Sequence, residues 1–302
     1  MSLIVTGSIG IDTIHTPTGQ APDVLGGSAI YFAAAASFYG PVRLVGAVGE
    51  DFPEALEEPF RRFAIDLAGL ERRAGSKTFR WTGRYLENMN DRETLSVDLN
   101  VLAEDLPPVP PEYADSAYVF LANAHPAGQA ALLDQLPGAK LVVADTMDLW
   151  IENEAEALKA LLGRLDGLVL NDSEAQQLTG ETNIVRAGEA VLGMGPRFVV
   201  IKKGEHGAFL LGEEGPVALP AYPARDVVDP TGAGDTFGGG MMGWLAKTGG
   251  DTSQANLKRA MAAGTVVASY NIESFSLDRL QAIGSEDLER RAGEYAAMLD
   301  VG

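Results

Sequence analysis

With 302 residues, 46% of them hydrophobic and 22% charged, the chain can bury a full core and has the length of one large α/β domain or two small ones. A formal net charge of -19 argues against nucleic acid or an anionic membrane surface as a partner, because both are met by clustered Lys and Arg. Without cysteine there are no disulfides or thiolate metal sites; with no run of about 18 apolar residues and no basic leader before an apolar stretch, the expectation is a cytoplasmic protein.

In chain order, Leu3 to Thr6 reads as a first strand closed by Gly7. Residues 28–39, "SAIYFAAAASFY", read as a helix with Ser28 as N-cap and Gly40 as its stop, and the methyl-only stretch Ala33 to Ala36 lets such a helix lie close to a sheet. A second strand fits Arg43 to Val48. Residues 11–25 and 77–102 are extended, partly polar and broken by turn residues such as "ENMNDR". They are expected to form a small β-sheet outside the main alternation, a lid whose exposed edges suit pairing across a homodimer.

From Ala117 the chain alternates short apolar strands ("AYVFLA", "AKLVVAD", "GLVLN") with helical segments, one of them from about Glu152 to Gly163. That alternation indicates βαβ units, so the fold class is α/β: a doubly wound, mostly parallel sheet flanked by helices. "FVVIKKG" with "GAFLL" and "GPVALP" predicts a later antiparallel excursion before a glycine-rich stretch and the C-terminal helices.

The glycine-rich stretch is "DPTGAGDTFGGG", residues 229–240, just ahead of the apolar run Met241 to Ala246. Glycine costs a helix about 1 kcal/mol relative to alanine, so something needs a bare backbone here. At a helix entrance the first amides are unpaired and carry the positive end of the dipole, which makes Gly232, Ala233 and Gly234 an anion hole. Asp235 beside it then suits a base that takes a proton from a hydroxyl attacking phosphorus. The bland alternative is a tight turn with a helix cap.

"LNDSEAQQLTG" puts Asn171 and Glu174 after a buried strand, where they suit a capping box or, at the carboxyl end of a parallel strand, the ordering of a nucleotide's magnesium through water. Gly204 and Gly207 in "IKKGEHGAFL" suit a turn against which phosphates or ribose lie. "GSIGID" and "LGGSAI" place glycines beside Asp12, as contact with a hydroxyl-rich substrate requires. No G-x-G-x-x-G follows the first strand and no G-x-x-x-x-G-K-[ST] occurs, which disfavours a dinucleotide enzyme and a P-loop ATPase; His15, His125 and His206 are scattered, which disfavours metal hydrolysis.

Taken together, "VVDPTGAGDTFGGGMM", "NDSE" and "GSIGID" with "LGGSAIYFAAAASFYG" resemble the signatures of the ribokinase-like (PfkB) carbohydrate kinases, over about residues 3–280. The resemblance implies a kinase that moves the γ-phosphoryl group of ATP, with Mg2+, to a hydroxyl of a sugar or related polyol. A nucleoside kinase of the same fold and a non-catalytic sugar- or nucleotide-binding regulator are the alternatives. It further implies Asp235 as the base and the 232–235 amides as the anion hole. Asp12, Gly26, Gly27, Tyr31 and Asn123 fall on the substrate side, Tyr31 where many sugar kinases carry asparagine. Asn171, Lys202, Gly204, Gly207, Thr231, Met261 and Gly264 fall on the nucleotide side, the last two near adenine. Glu174 would reach magnesium through water, and Asp229 and Ser276 match a monovalent-cation (K+) site of some members.

Overall fold

The computed structural model describes residues 2–300. In chain order the strands are β1 (Leu3–Thr6), β2 (Gly10–Thr16), β3 (Gly19–Gly26), β4 (Val42–Gly49), β5 (Asp66–Arg73), β6 (Phe79–Tyr85), β7 (Arg92–Asp98), β8 (Tyr118–Leu121), β9 (Leu141–Asp145), β10 (Gly167–Asn171), β11 (Phe198–Lys202), β12 (Ala208–Gly212) and β13 (Gly215–Leu219). The helices are α1 (Ser28–Ser37), α2 (Glu58–Arg62), α3 (Pro126–Leu133), α4 (Asp148–Asn153), α5 (Ala155–Leu162), α6 (Asp172–Thr179), α7 (Ile184–Leu192), α8 (Ala233–Lys247), α9 (Gln254–Asn271), α10 (Asp278–Ala282) and α11 (Ser285–Leu299). None of the described helices is long and apolar enough to cross a membrane.

A nine-stranded sheet runs β13-β12-β11-β10-β9-β8-β1-β4-β5. It is parallel from β11 to β5, and β12 and β13 add on antiparallel, as the sequence predicts. Its central strands read as continuous apolar runs because both faces are covered. Side chains alternate: Leu3, Val5, Val143, Val169 and Val200 enter one core, while Ile4, Val142, Leu168, Val199 and Ile201 enter the other.

β1 pairs with β4 on one flank and β8 on the other, so strand order reverses there and a crevice opens beyond its carboxyl end. β2 leaves from that end into the small separate sheet, ordered β3-β2-β6-β7. Its strands coincide with the two stretches expected to form a lid, β2 beginning at Gly10 and β3 ending at Gly26, just beyond the first.

Two local expectations need correction, and one strand was not foreseen. Ser28 is the first residue of α1, and Gly27 caps it with φ 101. A Cβ on Gly27 would lie 2.4 Å from the Ser8 carbonyl oxygen, while the Ser28 hydroxyl accepts from the Ser8 N–H at 3.2 Å and ties the helix to the end of β1. The helix expected over 152–163 is broken into α4 and α5 at Glu154, whose φ of -128 leaves the helical range and whose carboxylate meets His125 Nε2 at 3.3 Å. Finally, β5 is an edge strand of mixed polarity, with too little alternation to stand out from the text.

The glycines inside α8 also have a reason other than phosphate. A Cβ on Gly239 would lie 2.2 Å from the Phe32 carbonyl oxygen, and one on Gly243 3.0 Å from that of Ala36. On the next face, a Cβ on Gly240 would lie 2.9 Å from the Gly264 Cα. Bare backbone lets α1, α8 and α9 touch main chain to main chain, at a cost in helix propensity that the contact offsets.

Gly239→Ala is therefore expected to lower stability by about 1–3 kcal/mol through overpacking, despite alanine's better helix propensity. Gly293→Ala in α11, where a Cβ meets nothing within 4 Å, is expected to raise it by about 0.5–1 kcal/mol. Urea midpoints of the two variants test this, and a Gly239→Ala protein more stable than the parent would show that the helices do not touch as described.

Candidate active site

Adjacent parallel strands β9, β10 and β11 end in Asp145, Asn171 and Lys202, and the register pairs Asn171 with Lys202 and Val169 with Asp145. A carboxylate, an amide and an ammonium thus emerge along one edge of the sheet. The amino end of α8 lies against them. Lys202 Nζ comes so near that a Cβ on Gly234 would sit 2.7 Å from it.

The turn into α8 is held from below. Thr231 N–H donates to Asp229 Oδ1 at 2.8 Å, and the Asn271 amide donates to the Thr231 carbonyl at 2.8 Å. Gly232 takes φ 73, with the Tyr31 ring 2.3 Å from where a Cβ would be, so only glycine fits. Ala233 N–H donates back to the Pro230 carbonyl at 3.1 Å.

Electrostatically the cleft is crowded with acid. Asp235, half-buried in the first turn of α8, has its pKa raised by burial, against which Lys202 and then Arg92 pull it down. Asp145 is buried with Oδ1 lacking a hydrogen-bond partner; burial first and the Asp235 charge second hold its pKa well above the usual carboxylate range, with Lys202 opposing. Burial also raises Glu174, opposed by Lys202.

Asn171 and Glu174 form the capping box in full, Asn171 Oδ1 accepting from Glu174 N–H at 2.7 Å and Glu174 Oε2 accepting from Asn171 N–H at 2.8 Å. The same geometry aims the Glu174 carboxylate into the cleft beside Lys202, so the structural and the electrostatic reading hold together.

Across the cleft, the Asp12 carboxylate lies over Gly26, where a Cβ would be 1.9 Å from Oδ2. It is 4% exposed and its Oδ1 has no hydrogen-bond partner. Burial, then the charges of Asp229 and Asp235, push its pKa up to about 8.

Register places Asp12 beside Trp81 of β6, and β6 beside β7 sets Tyr85 opposite Arg92 and Gly83 opposite Thr94. Paired residues share a face, as do alternate ones, so Asp12, Trp81, Tyr85 and Arg92 look the same way. That way is toward α8, since Thr231 Oγ1 donates to the Tyr85 hydroxyl at 3.3 Å. The Trp81 ring lies over Gly83, 2.0 Å from where a Cβ would be, with its indole N–H on Thr94 Oγ1 at 3.2 Å.

Several residues singled out from the sequence sit elsewhere or do other work. Met261 is fully buried in the core, and a Cβ on Gly264 would lie 2.5 Å from the Phe237 carbonyl oxygen, so both have a packing role in α9. Both oxygens of buried Asp229 accept backbone N–H groups, from Thr231 at 2.8 Å and Ser276 at 3.3 Å, and the Ser276 hydroxyl donates to the Leu25 carbonyl at 2.5 Å. These donors orient the carboxylate and leave a further lone pair on each oxygen.

Tyr31 is buried under the turn at Gly232, and burial, then Asp229 and Asp12, raise its pKa, with the Ser276 hydroxyl opposing. Gly207 is required by packing, because a Cβ there would lie 2.0 Å from the Leu219 carbonyl oxygen. Gly204, with φ 53, begins an exposed turn over 204–206. Asn123 Oδ1 accepts from the Trp150 indole at 2.8 Å.

Asp145, Trp81, Tyr85 and Arg92 are absent from the sequence-derived site. Asp145 had a readable signal, a carboxylate ending the apolar run "AKLVVAD" as Asn171 ends "GLVLN". The lid residues had none, since only sheet register aims them. Among the described residues no group of three or more His, Asp or Glu could hold a metal ion by itself.

Known proteins share both the sequence pattern and the fold of this chain. Residues 12–280 match the family described as pfkB family carbohydrate kinase. The chain is 30% identical over 249 residues to a cytidine kinase of Thermococcus kodakarensis, covering 80% of this chain and 87% of that one. The chain belongs to the pfkB family of carbohydrate kinases.

Its fold is that of a Burkholderia thailandensis nucleoside kinase solved with inosine (TM-score 0.78, 18% identity, 98% of this chain and 99% of that one). A ribokinase of Giardia lamblia is similar too (TM-score 0.80, 15% identity, 97% and 99%). As a member of this family the protein transfers a phosphoryl group from ATP to a hydroxyl of a sugar or nucleoside.

The raised pKa of Asp12 has a consequence for stability. Between about pH 4 and about pH 8 the folded kinase keeps a proton on Asp12 that the unfolded chain has released, so folding stability falls as pH rises through this window, by up to about 1.4 kcal/mol per unit. Asp12→Asn removes that contribution, and its thermal midpoint is expected to gain on the parent's progressively from pH 4 to pH 8. A pH-independent difference would show that Asp12 is already ionised.

Proposed function

We propose that the acceptor is a nucleoside, phosphorylated on its ribose, with Asp235 as the base. The observation that carries the acceptor class is the pairing of Asp12 with Trp81 on the inward face of the small sheet. A buried carboxylate with a free oxygen suits a sugar hydroxyl, and an indole lying over Gly83 suits a planar base attached to that sugar. A planar base gains more from the second than a free sugar does. Stacking of a base on an aromatic ring contributes about 1–3 kcal/mol. A relative matched over most of the chain is a cytidine kinase, which supports the same reading.

In the reaction, Asp235 accepts the proton of the attacking hydroxyl while the helix mouth takes the charge of the transferred group. Because Ala233 N–H is engaged by Pro230, the hole rests on the amides of Gly232, Gly234 and Asp235. Lys202, at Gly234, supplies the positive charge that a phosphate needs among so many carboxylates. Magnesium would come with the nucleotide, since Mg2+ is commonly held by substrate phosphates and one or two carboxylates. Glu174 and Asp145, whose Oδ1 is unpartnered, are the residues that would hold it, directly or through water, and the ion would screen the charge of the phosphates.

Asp235→Asn is expected to lower turnover by roughly 100-fold to 10,000-fold with nucleotide affinity little changed; near-normal turnover would remove Asp235 from its role. An ADP-release screen over pentoses, hexoses and nucleosides is expected to favour a nucleoside. Trp81→Ala should raise KM for that nucleoside by about 5-fold to 100-fold while leaving any activity on free ribose near its starting value. A free sugar used better than every nucleoside would overturn the acceptor assignment.

A further inference from the structure

The chain leaving β8 is fixed around Asn123. Ala122 N–H donates to the Thr6 carbonyl at 2.8 Å, which carries the sheet pairing one residue past β8, and the buried Gln129 amide donates to the Ala122 carbonyl at 3.1 Å. The Asn123 main-chain N–H helps to hold the Asp145 carboxylate as an anion. Asn123 therefore stands half-buried on the floor of the crevice, between the end of β1 and Asp145 of β9.

Its side chain is held from behind by a small closed ring of residues. The Trp150 indole N–H donates to Asn123 Oδ1 at 2.8 Å. The indole is buried and lies beside the His125 ring, with centroids 5.3 Å apart. His125 Nδ1 accepts from Ala127 N–H at 3.2 Å, so in the neutral ring the proton sits on Nε2, which faces Glu154 Oε1 at 3.3 Å. Glu154 closes the ring by donating its main-chain N–H to the Trp150 carbonyl at 2.9 Å. The break between α4 and α5 thereby fixes the indole, and the indole fixes the amide. Among the described residues Asn123 Nδ2 donates to no protein group, so the amide is engaged through its oxygen alone.

We propose that Trp150 is a positioning residue that makes Asn123 a pure donor toward the nucleoside, and that the base selected in this way is cytosine. An asparagine amide can turn over and exchange its oxygen for its NH2 group, but an indole N–H only donates. Turned over, Asn123 would set donor against donor at a buried indole. Locked as observed, it offers the cleft N–H groups and no acceptor. Stacking on Trp81 holds any base, since every base has a π-face, so the choice among bases falls to a group that reads an edge. On the pairing edges of the common bases, two adjacent acceptors occur only in cytosine, at N3 and O2. Uracil sets an N3–H donor between its two acceptors, and that donor opposes the amide. The inference rests on the nucleoside reading and adds to it which base is taken.

The parent is expected to prefer cytidine over uridine by about 5-fold to 150-fold in kcat/KM, the range for a polar group left unpaired on binding. Trp150→Phe keeps an aromatic ring and removes the N–H, which frees the amide to turn over. It should bring that ratio to within about 3-fold of unity, with the change appearing in KM for cytidine and not in KM for ATP. Asn123→Ala should abolish the preference as well, and the double variant should be no worse than Asn123→Ala alone, as expected of a residue that acts through another. Equal losses on cytidine and uridine in Trp150→Phe, or losses that add to those of Asn123→Ala, would make Trp150 structural and overturn the proposal. A parent that phosphorylates uridine or a purine nucleoside at least as well as cytidine overturns it while the nucleoside reading stands. A parent that uses a free sugar better than every nucleoside overturns both.

Discussion

The contact on which the rest depends is that of α8 with α1 and α9, main chain against main chain through Gly239, Gly240 and Gly243. A helix seated so closely cannot slide or tilt without clashes, so its first turn is delivered to one place, above the carboxyl ends of β9, β10 and β11. The bare positions within the helix set where it lies. The bare positions at its entrance, Gly232 and Gly234, let Tyr31 and Lys202 approach from below and from the side. One glycine-rich stretch thereby serves two physical purposes, packing along its length and access at its mouth.

With the helix mouth fixed, charge decides the character of the site. Asp12, Asp145, Glu174, Asp229 and Asp235 converge, and burial raises the pKa of each. Such a cluster is unfavourable by itself; it is held by a rigid frame of backbone hydrogen bonds, such as the two that Asp229 accepts, and relieved by Lys202. A phosphate entering here meets amide dipoles and an ammonium at short range against an unfavourable overall field from a chain of net charge -19.

The small sheet contributes through its register. Since side chains alternate, setting β2 beside β6 in the observed register brings Asp12, Trp81 and Tyr85 to the inward face together, and a slip of one residue would turn all three outward. The hydrogen bonds of Tyr85 to Thr231 and of Asn90 to Glu205 fasten this face over the helix mouth. The small sheet and the helix mouth in this way form opposite walls of one cleft.

The doubly wound fold, the antiparallel excursion after Lys202, the small sheet, Asp235 at a helix entrance and the Asn171–Glu174 box were all legible in the amino-acid sequence. Each is local: an apolar run bounded by turn residues, or a capping pattern whose partners are three residues apart, follows from neighbours along the chain. What only the tertiary structure decided depends on residues far apart in sequence. The glycines of α8 and Gly264 answer to helix contacts, Met261 to the core, Asp229 to the amide of Ser276, and the break at Glu154 to a helix end beside His125. Asp145 and Arg92 join the site because sheet order and strand register carry them there. Periodicity records which face of an element is apolar; it does not record which element lies across from it, and that distance across space is what sets a side chain's partners, its charge and its work.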